Sequence, residues 1–128
     1  MSNTIDGTIT FFYYKDLEAA AKFYEEVMGF ESVIDVDFAK VYRVYEGVHI
    51  GLVDGERGYV KAADDKPVML SYFSDDIDWW YQHLRDKGVK IEQPPEEASY
   101  LQMKTMLFRD PEGYLLEILQ WLKEPYGK

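Results

Sequence analysis

Few kinds of side chain in this chain can carry chemistry. Cysteine is absent, which excludes thiolate nucleophiles, thiolate metal ligands and disulfides together. There are two histidines, His49 and His83. A catalytic zinc draws three ligands from His, Asp and Glu, so carboxylates would have to complete any such site. Among the 24 acidic residues Glu117 stands apart. In the run DPEGYLLEIL, residues 110–119, strand alternation sets it on one face with Leu115, Leu119 and Trp121. An unpaired charge is costly there, which calls for a neutral group or a donor beside it, with tyrosine hydroxyls, His49 and Lys104 as candidates. Glu117 reads as a ligand-anchoring acceptor, with proton transfer as the alternative. His49 shares a strand face with Gly51 and reads as part of a pocket wall. His83, between Tyr81 and Leu84 of a helical stripe, reads as a surface residue.

The elements that must position these groups have to fit in 128 residues, room for one domain. Fourteen basic residues against 24 acidic ones give a net charge of -10, which repels a nucleic-acid backbone. No apolar stretch approaches the roughly 20 residues needed to cross a bilayer, and the opening MSNTIDGTIT has neither a basic region nor an apolar signal core. The expectation is a cytoplasmic protein with neither a membrane nor a nucleic-acid partner. Eleven Tyr, seven Phe and three Trp must line a core, a pocket or an interface.

The organisation is a repeat. The strand-forming TITFFYY ends ahead of Asp16, an N-cap for LEAAAKFYEEVM, in which Leu17, Ala20, Tyr24 and Val27 recur at helical spacing before Gly29 stops the helix. Sixty residues later VMLSYFS precedes Asp75 and Asp76, and Ile77, Trp80, Tyr81 and Leu84 form a stripe ending at Gly88. Two strands around Glu46 and Gly47 (residues 39–53) correspond, at an offset of 66, to two around Glu112 and Gly113 (residues 105–119). About six extra residues fall in the second half, near Gln93-Pro94-Pro95 and Glu96–Ser99. The fold class is therefore α+β, two tandem βαβββ modules over about 5–55 and 67–122, joined by a linker-like stretch at about 54–67.

DLEAAAKFYEEVMGF after an opening strand and RDPEGYLLEIL near the end resemble the two signatures of the vicinal oxygen chelate superfamily, which holds glyoxalase I, the bleomycin- and fosfomycin-resistance proteins and the extradiol dioxygenases. The resemblance covers residues 5–122 and implies that 1–128 form a single domain, curved sheets enclosing a cleft, and a homodimer. It also implies four metal-ligand positions in the metal-dependent members. Carried onto this chain, the first-strand positions are Ile9 and Met69, seven residues before Asp16 and Asp76. The last-strand positions are Gly51 and Glu117, four residues beyond Gly47 and Gly113. Three of the four cannot bind a metal, so no metal and no other cofactor is expected. A divalent ion in a displaced site using Glu117 and His49 is the alternative, and it lacks a third ligand.

Alternation nominates the remaining wall. Phe11 and Tyr13 share the face of Ile9, and Ser71 and Phe73 that of Met69. A two-residue hairpin at Glu46-Gly47 would set Val44 beside His49 and Tyr42 beside Gly51. Thr10, Phe12, Tyr14, Leu70 and Tyr72 should pack on the helices. Asp35, Asp37, Asp64 and Asp65 read as solvated loop charges. Adjacent Trp79 and Trp80 should point apart, Trp80 into the buried stripe and Trp79 outward or into a partner subunit. The candidate ligand-binding set is Phe11, Tyr13, Tyr42, His49, Met69, Ser71, Phe73, Glu117 and Trp121, with no second catalytic group of matched spacing. The resemblance then points to a bleomycin-resistance-like protein that binds a small aromatic or cationic molecule without chemistry, or alternatively to a glyoxalase-like lyase or isomerase, or a dioxygenase.

Overall fold

A computed structural model describes residues 3–123. The chain divides between Asp64 and Asp65 into two compact units. The first carries β1 (Thr8–Tyr14), α1 (Leu17–Lys22, extended by a π-helical turn Phe23–Val27), β2 (Glu31–Val36), β3 (Ala39–Tyr45) and β4 (Val48–Asp54). The second carries β5 (Met69–Phe73), α2 (Ile77–Asp86), β6 (Ile91–Ala98), a short 3-10 turn (Ser99–Leu101), β7 (Met103–Arg109) and β8 (Leu115–Trp121). Each module has one four-stranded sheet, ordered β1-β4-β3-β2 and β5-β8-β7-β6. Two βαβββ modules with few helices make this an α+β fold.

The repeat has a physical basis at both helix starts. Asp16 Oδ1 accepts from the Ala19 amide and Asp76 Oδ1 from the Trp79 amide, each at 3.1 Å, so the same cap opens both helices. The first strand of each module then runs parallel to the last, with Phe11 beside Gly51 and Ser71 beside Glu117. The helices cover one face of each sheet. In the first module Phe12, Tyr14, Tyr42, Ile50 and Leu52 are buried on the side of Leu17, Ala20 and Tyr24; in the second Met106, Phe108, Leu116 and Ile118 are buried with Ile77 and Leu84. The extra length of the second half lies where its sequence places it, in the longer β6 and the 3-10 turn.

Two local features depart from regular spacing. In the π turn the Met28 amide donates to the Phe23 carbonyl, one residue further back than in an α-helix, so Met28 is buried and Val27 only half-buried. In the first hairpin Tyr45 pairs Val48 around Glu46-Gly47, with Gly47 at φ 75°, but Val44 then bulges out. Arg43 therefore faces His49, Val41 faces Gly51 and Tyr42 faces Ile50. The stretch after β4 folds back on its module: the Gly55 amide donates to Tyr14, the Gly58 amide to Asp54 and the Ala62 amide to Gly55.

The turn between β7 and β8 sets the register of Glu117. Asp110 is buried, and its Oδ1 accepts from the Glu112 and Tyr114 amides, both at 3.0 Å, while its own amide donates to Tyr114. Gly113, at φ 93°, closes the turn in a conformation that other residues reach only with strain. Asp110→Ala leaves two amides without their acceptor and is expected to cost about 2 kcal/mol in urea denaturation. A loss below about 0.5 kcal/mol would show that the backbone alone holds the turn.

Tyr42 generates a second expectation. Burial, reinforced by its 2.6 Å hydrogen bond to Glu25 Oε2, pushes its hydroxyl well above the ordinary tyrosine range. Burial does the same to Tyr72, and the hydrogen bond to Asp35 raises Lys40. Each group holds its proton more tightly folded than unfolded, so its contribution is complete below about pH 10 and is lost as pH rises beyond it. Tyr42→Phe should cost about 1 kcal/mol at neutral pH, the exposed Glu25 moderating the loss, and should soften the alkaline decline seen by circular dichroism. An unchanged alkaline profile would assign that decline to other groups.

Candidate functional site

The helix-free face of each sheet holds the candidate residues. In the first module Ile9, Phe11 and Tyr13 of β1 lie in register with His49, Gly51 and Val53 of β4, and β3 adds Val41 and Arg43. In the second, Met69, Ser71 and Phe73 of β5 lie in register with Leu115, Glu117 and Leu119 of β8, and Trp121 follows. From β7, Leu107 stands beside Glu117 and Thr105 beside Leu119; Gln93 of β6 stands beside Leu107.

Tyr42 is not on this face. The bulge at Val44 slips the pairing by one residue, and a one-residue slip turns a side chain to the opposite side of the sheet. Tyr42 is fully buried against the helix side and bonded to Glu25, and Val41 takes the position beside Gly51. Val44, expected beside His49, is the bulged residue, and Arg43 stands there instead. Leu107, Thr105 and Gln93 escape the sequence reading because parity on β6 and β7 becomes known only through their pairing with β8.

Glu117 does meet a donor, though none of those anticipated. The Ser71 hydroxyl donates to Glu117 Oε1 at 2.6 Å. Lys104 pairs with Gln120, which puts it on the helix side, 3.3 Å from Asp78 of α2. Gln120 shares that side and accepts from the Ile77 amide at 3.0 Å, tying β8 to the start of α2. Further along the open face the rings of Phe73 and Trp121 meet edge to face at 5.5 Å. The Gln93 amide reaches the Thr105 hydroxyl at 3.4 Å.

The corresponding place in the first module is apolar. A side chain at Gly51 would run into the ring of Phe11 and come within 3.3 Å of Ile9 Cγ2. The aromatic ring thus lies over the glycine, filling the space where Glu117 projects in the second module. His49 is half-buried, with Nδ1 3.3 Å from the Thr8 carbonyl; a carbonyl only accepts, so Nδ1 carries the hydrogen in that contact. His83 is also half-buried: Trp79 stacks on it at 4.6 Å and Trp80 meets it edge-on at 5.6 Å. Trp79 is exposed and Trp80 half-buried, as expected, but the two rings also meet with their centroids 5.1 Å apart, because residues three and four before His83 both reach it.

The metal that the resemblance implies finds no matching cage. Ile9, Gly51 and Met69 bring no donor, Glu117 brings one carboxylate, and no group of three or more His, Asp or Glu that could hold an ion gathers among the described residues. Nor is any helix among them long and apolar enough to cross a membrane.

Residues 7–118 match the family model described as the Glyoxalase/Bleomycin resistance protein/Dioxygenase superfamily. The chain is 23% identical over 117 residues to the uncharacterized protein YraH of Bacillus subtilis (strain 168), an alignment covering 84% of this chain and 91% of that protein. Its fold is similar to that of lactoylglutathione lyase from Agrobacterium tumefaciens, with a TM-score of 0.76, 18% identity, and coverage of 93% of this chain and 96% of that one. It is similar also to a glyoxalase/bleomycin resistance protein/dioxygenase from Nocardioides, with a TM-score of 0.77, 24% identity, and coverage of 100% and 89%. At such identities the structural likeness speaks to fold rather than activity. Fold, internal repeat and family match agree: this chain belongs to the Glyoxalase/Bleomycin resistance protein/Dioxygenase superfamily.

Proposed function

We propose that this protein binds a small aromatic or cationic molecule and does so without a divalent metal, in the manner of the bleomycin-resistance-like members of its family, as a cytoplasmic homodimer. One observation carries the reading. At the four positions that metal-dependent members use for ligands, this chain has Ile9, Gly51, Met69 and Glu117, and the ring of Phe11 fills the space above Gly51.

The surroundings support it. Ile9 and Phe11 are each 44% exposed on the open face of the first module, and Met69 47% and Phe73 55% on that of the second. Apolar walls with a few convergent polar groups are the ordinary makeup of a small-molecule site. The lyase, isomerase or dioxygenase alternative would need His49, Glu117 and a third ligand, and the described residues offer no such group.

A thermal-shift series with bleomycin and the planar cation acriflavine, run with and without chelator, tests the reading. Ligand at 100 times its dissociation constant adds about 2.7 kcal/mol of stability, so a binder should raise Tm equally in both conditions. A shift that disappears in chelator, or appears only with added metal, would contradict it. Sedimentation equilibrium should give a mass near twice the 15.0 kDa of the chain, whereas a single-chain mass would remove the homodimer.

A further inference from the structure

Among the described residues no cation pairs with Glu117. Oε1 accepts from a neutral donor, the Ser71 hydroxyl, and neither oxygen has a further hydrogen bond or ion pair among the described residues. The residues beside it on the face are Leu107 across the ladder and Leu115 and Leu119 along its own strand. Four cations of this module are engaged elsewhere: Lys104 with Asp78, Arg109 with Glu92, Lys66 over the Tyr114 ring and Arg85 over the Tyr81 ring. A half-buried carboxylate among leucines is costly unless something positive meets it.

We propose that this face of the second module is a subsite for a positively charged nitrogen carried on an aromatic ring, Glu117 taking the charge and the Phe73–Trp121 pair taking the ring. The inference rests on the small-molecule reading above and names the chemistry that the site selects. Three features favour an organic monocation over a metal ion. One carboxylate and one hydroxyl match a single positive charge, whereas calcium takes six to eight oxygens and magnesium demands a near-octahedral shell. The flanking leucines cannot replace a metal's hydration shell, but they suit the weakly hydrated body of an organic cation. The aromatic pair stands next along the same face: Phe73 is two residues beyond Ser71, and Trp121 two beyond Leu119, the strand neighbour of Phe73. At about 3.3 Å per residue this sets Phe73 roughly 7 Å along the face from the Ser71–Glu117 pair and Trp121 roughly 13 Å, so the nearer ring lies at the separation of an amine from a ring carried on a short linker. Ring faces also attract cations, so both parts of the site favour the same charge.

Three matched probes separate charge from ring: phenethylammonium, the neutral 2-phenylethanol and the anionic 3-phenylpropanoate. Each is titrated in chelator at neutral pH into 15N-labelled full-length protein, and binding is read from the amide shifts of β5 and β8. The ammonium should bind at least about tenfold more tightly than the alcohol, and the anion should not bind. Glu117→Gln, which still accepts from Ser71, should bring the ammonium down to the affinity of the alcohol and leave the alcohol unchanged. Asp86→Asn removes the same unit of charge from α2, where Asp86 accepts from Gln82, and should leave the ratio intact. A ratio that survives Glu117→Gln would show that the net charge of the protein, not this carboxylate, selects the cation. Equal binding of ammonium and alcohol by the unaltered protein would overturn the cation subsite and leave the aromatic binding reading standing. Failure of all three probes to move β5 or β8, with acriflavine also silent, would overturn both.

Discussion

The pairing of β8 with β5 is the constraint on which the site depends. It puts Glu117 beside Ser71 on the helix-free face and leaves Leu116, Ile118 and Gln120 to hold the opposite face against α2. A shift of one residue would bury the carboxylate under the helix and push two core side chains outward, so the hydrophobic pattern of β8 fixes the position of its one charge. The Asp110 turn and the Gln120 bond to the Ile77 amide fasten the two ends of that strand. Ser71 supplies the one hydrogen bond that the carboxylate receives among the described residues.

The two modules place different chemistry on one scaffold. Their caps, strand orders and ladders correspond, down to Val41 beside Gly51 and Leu107 beside Glu117. Yet the equivalent positions hold a glycine beneath an aromatic ring in one half and a carboxylate bonded to serine in the other.

Much of this was legible in the sequence because it rests on local rules. Asp16 and Asp76 cap helices wherever they precede such a stripe, and period-two alternation on β1, β5 and β8 sorts Phe12 and Tyr14 from Ile9 and Phe11, and Ile118 from Glu117. The reading failed where one extra residue enters. The bulge at Val44 turned Tyr42 to the helix side, and the π turn moved burial from Val27 to Met28, because an inserted residue reverses parity or advances the helical phase with no change in composition to announce it. From sequence Lys104 reads as a candidate donor to Glu117, but its strand parity is set by Gln120 across the ladder, a fact of pairing rather than of sequence. His83 drew both indoles because it lies three and four residues beyond them, a helical neighbour relation that considering the adjacent pair alone does not reveal.

The central claim is that this family member recognises its ligand with side chains where metal-dependent members use an ion. Elemental analysis of the protein, purified without chelator from cells grown in metal-replete medium, tests it most directly. The account predicts nickel, zinc, iron and manganese all well below one equivalent per chain, with the same content in Glu117→Gln. One equivalent of any of them, lost on Glu117→Gln, would contradict it.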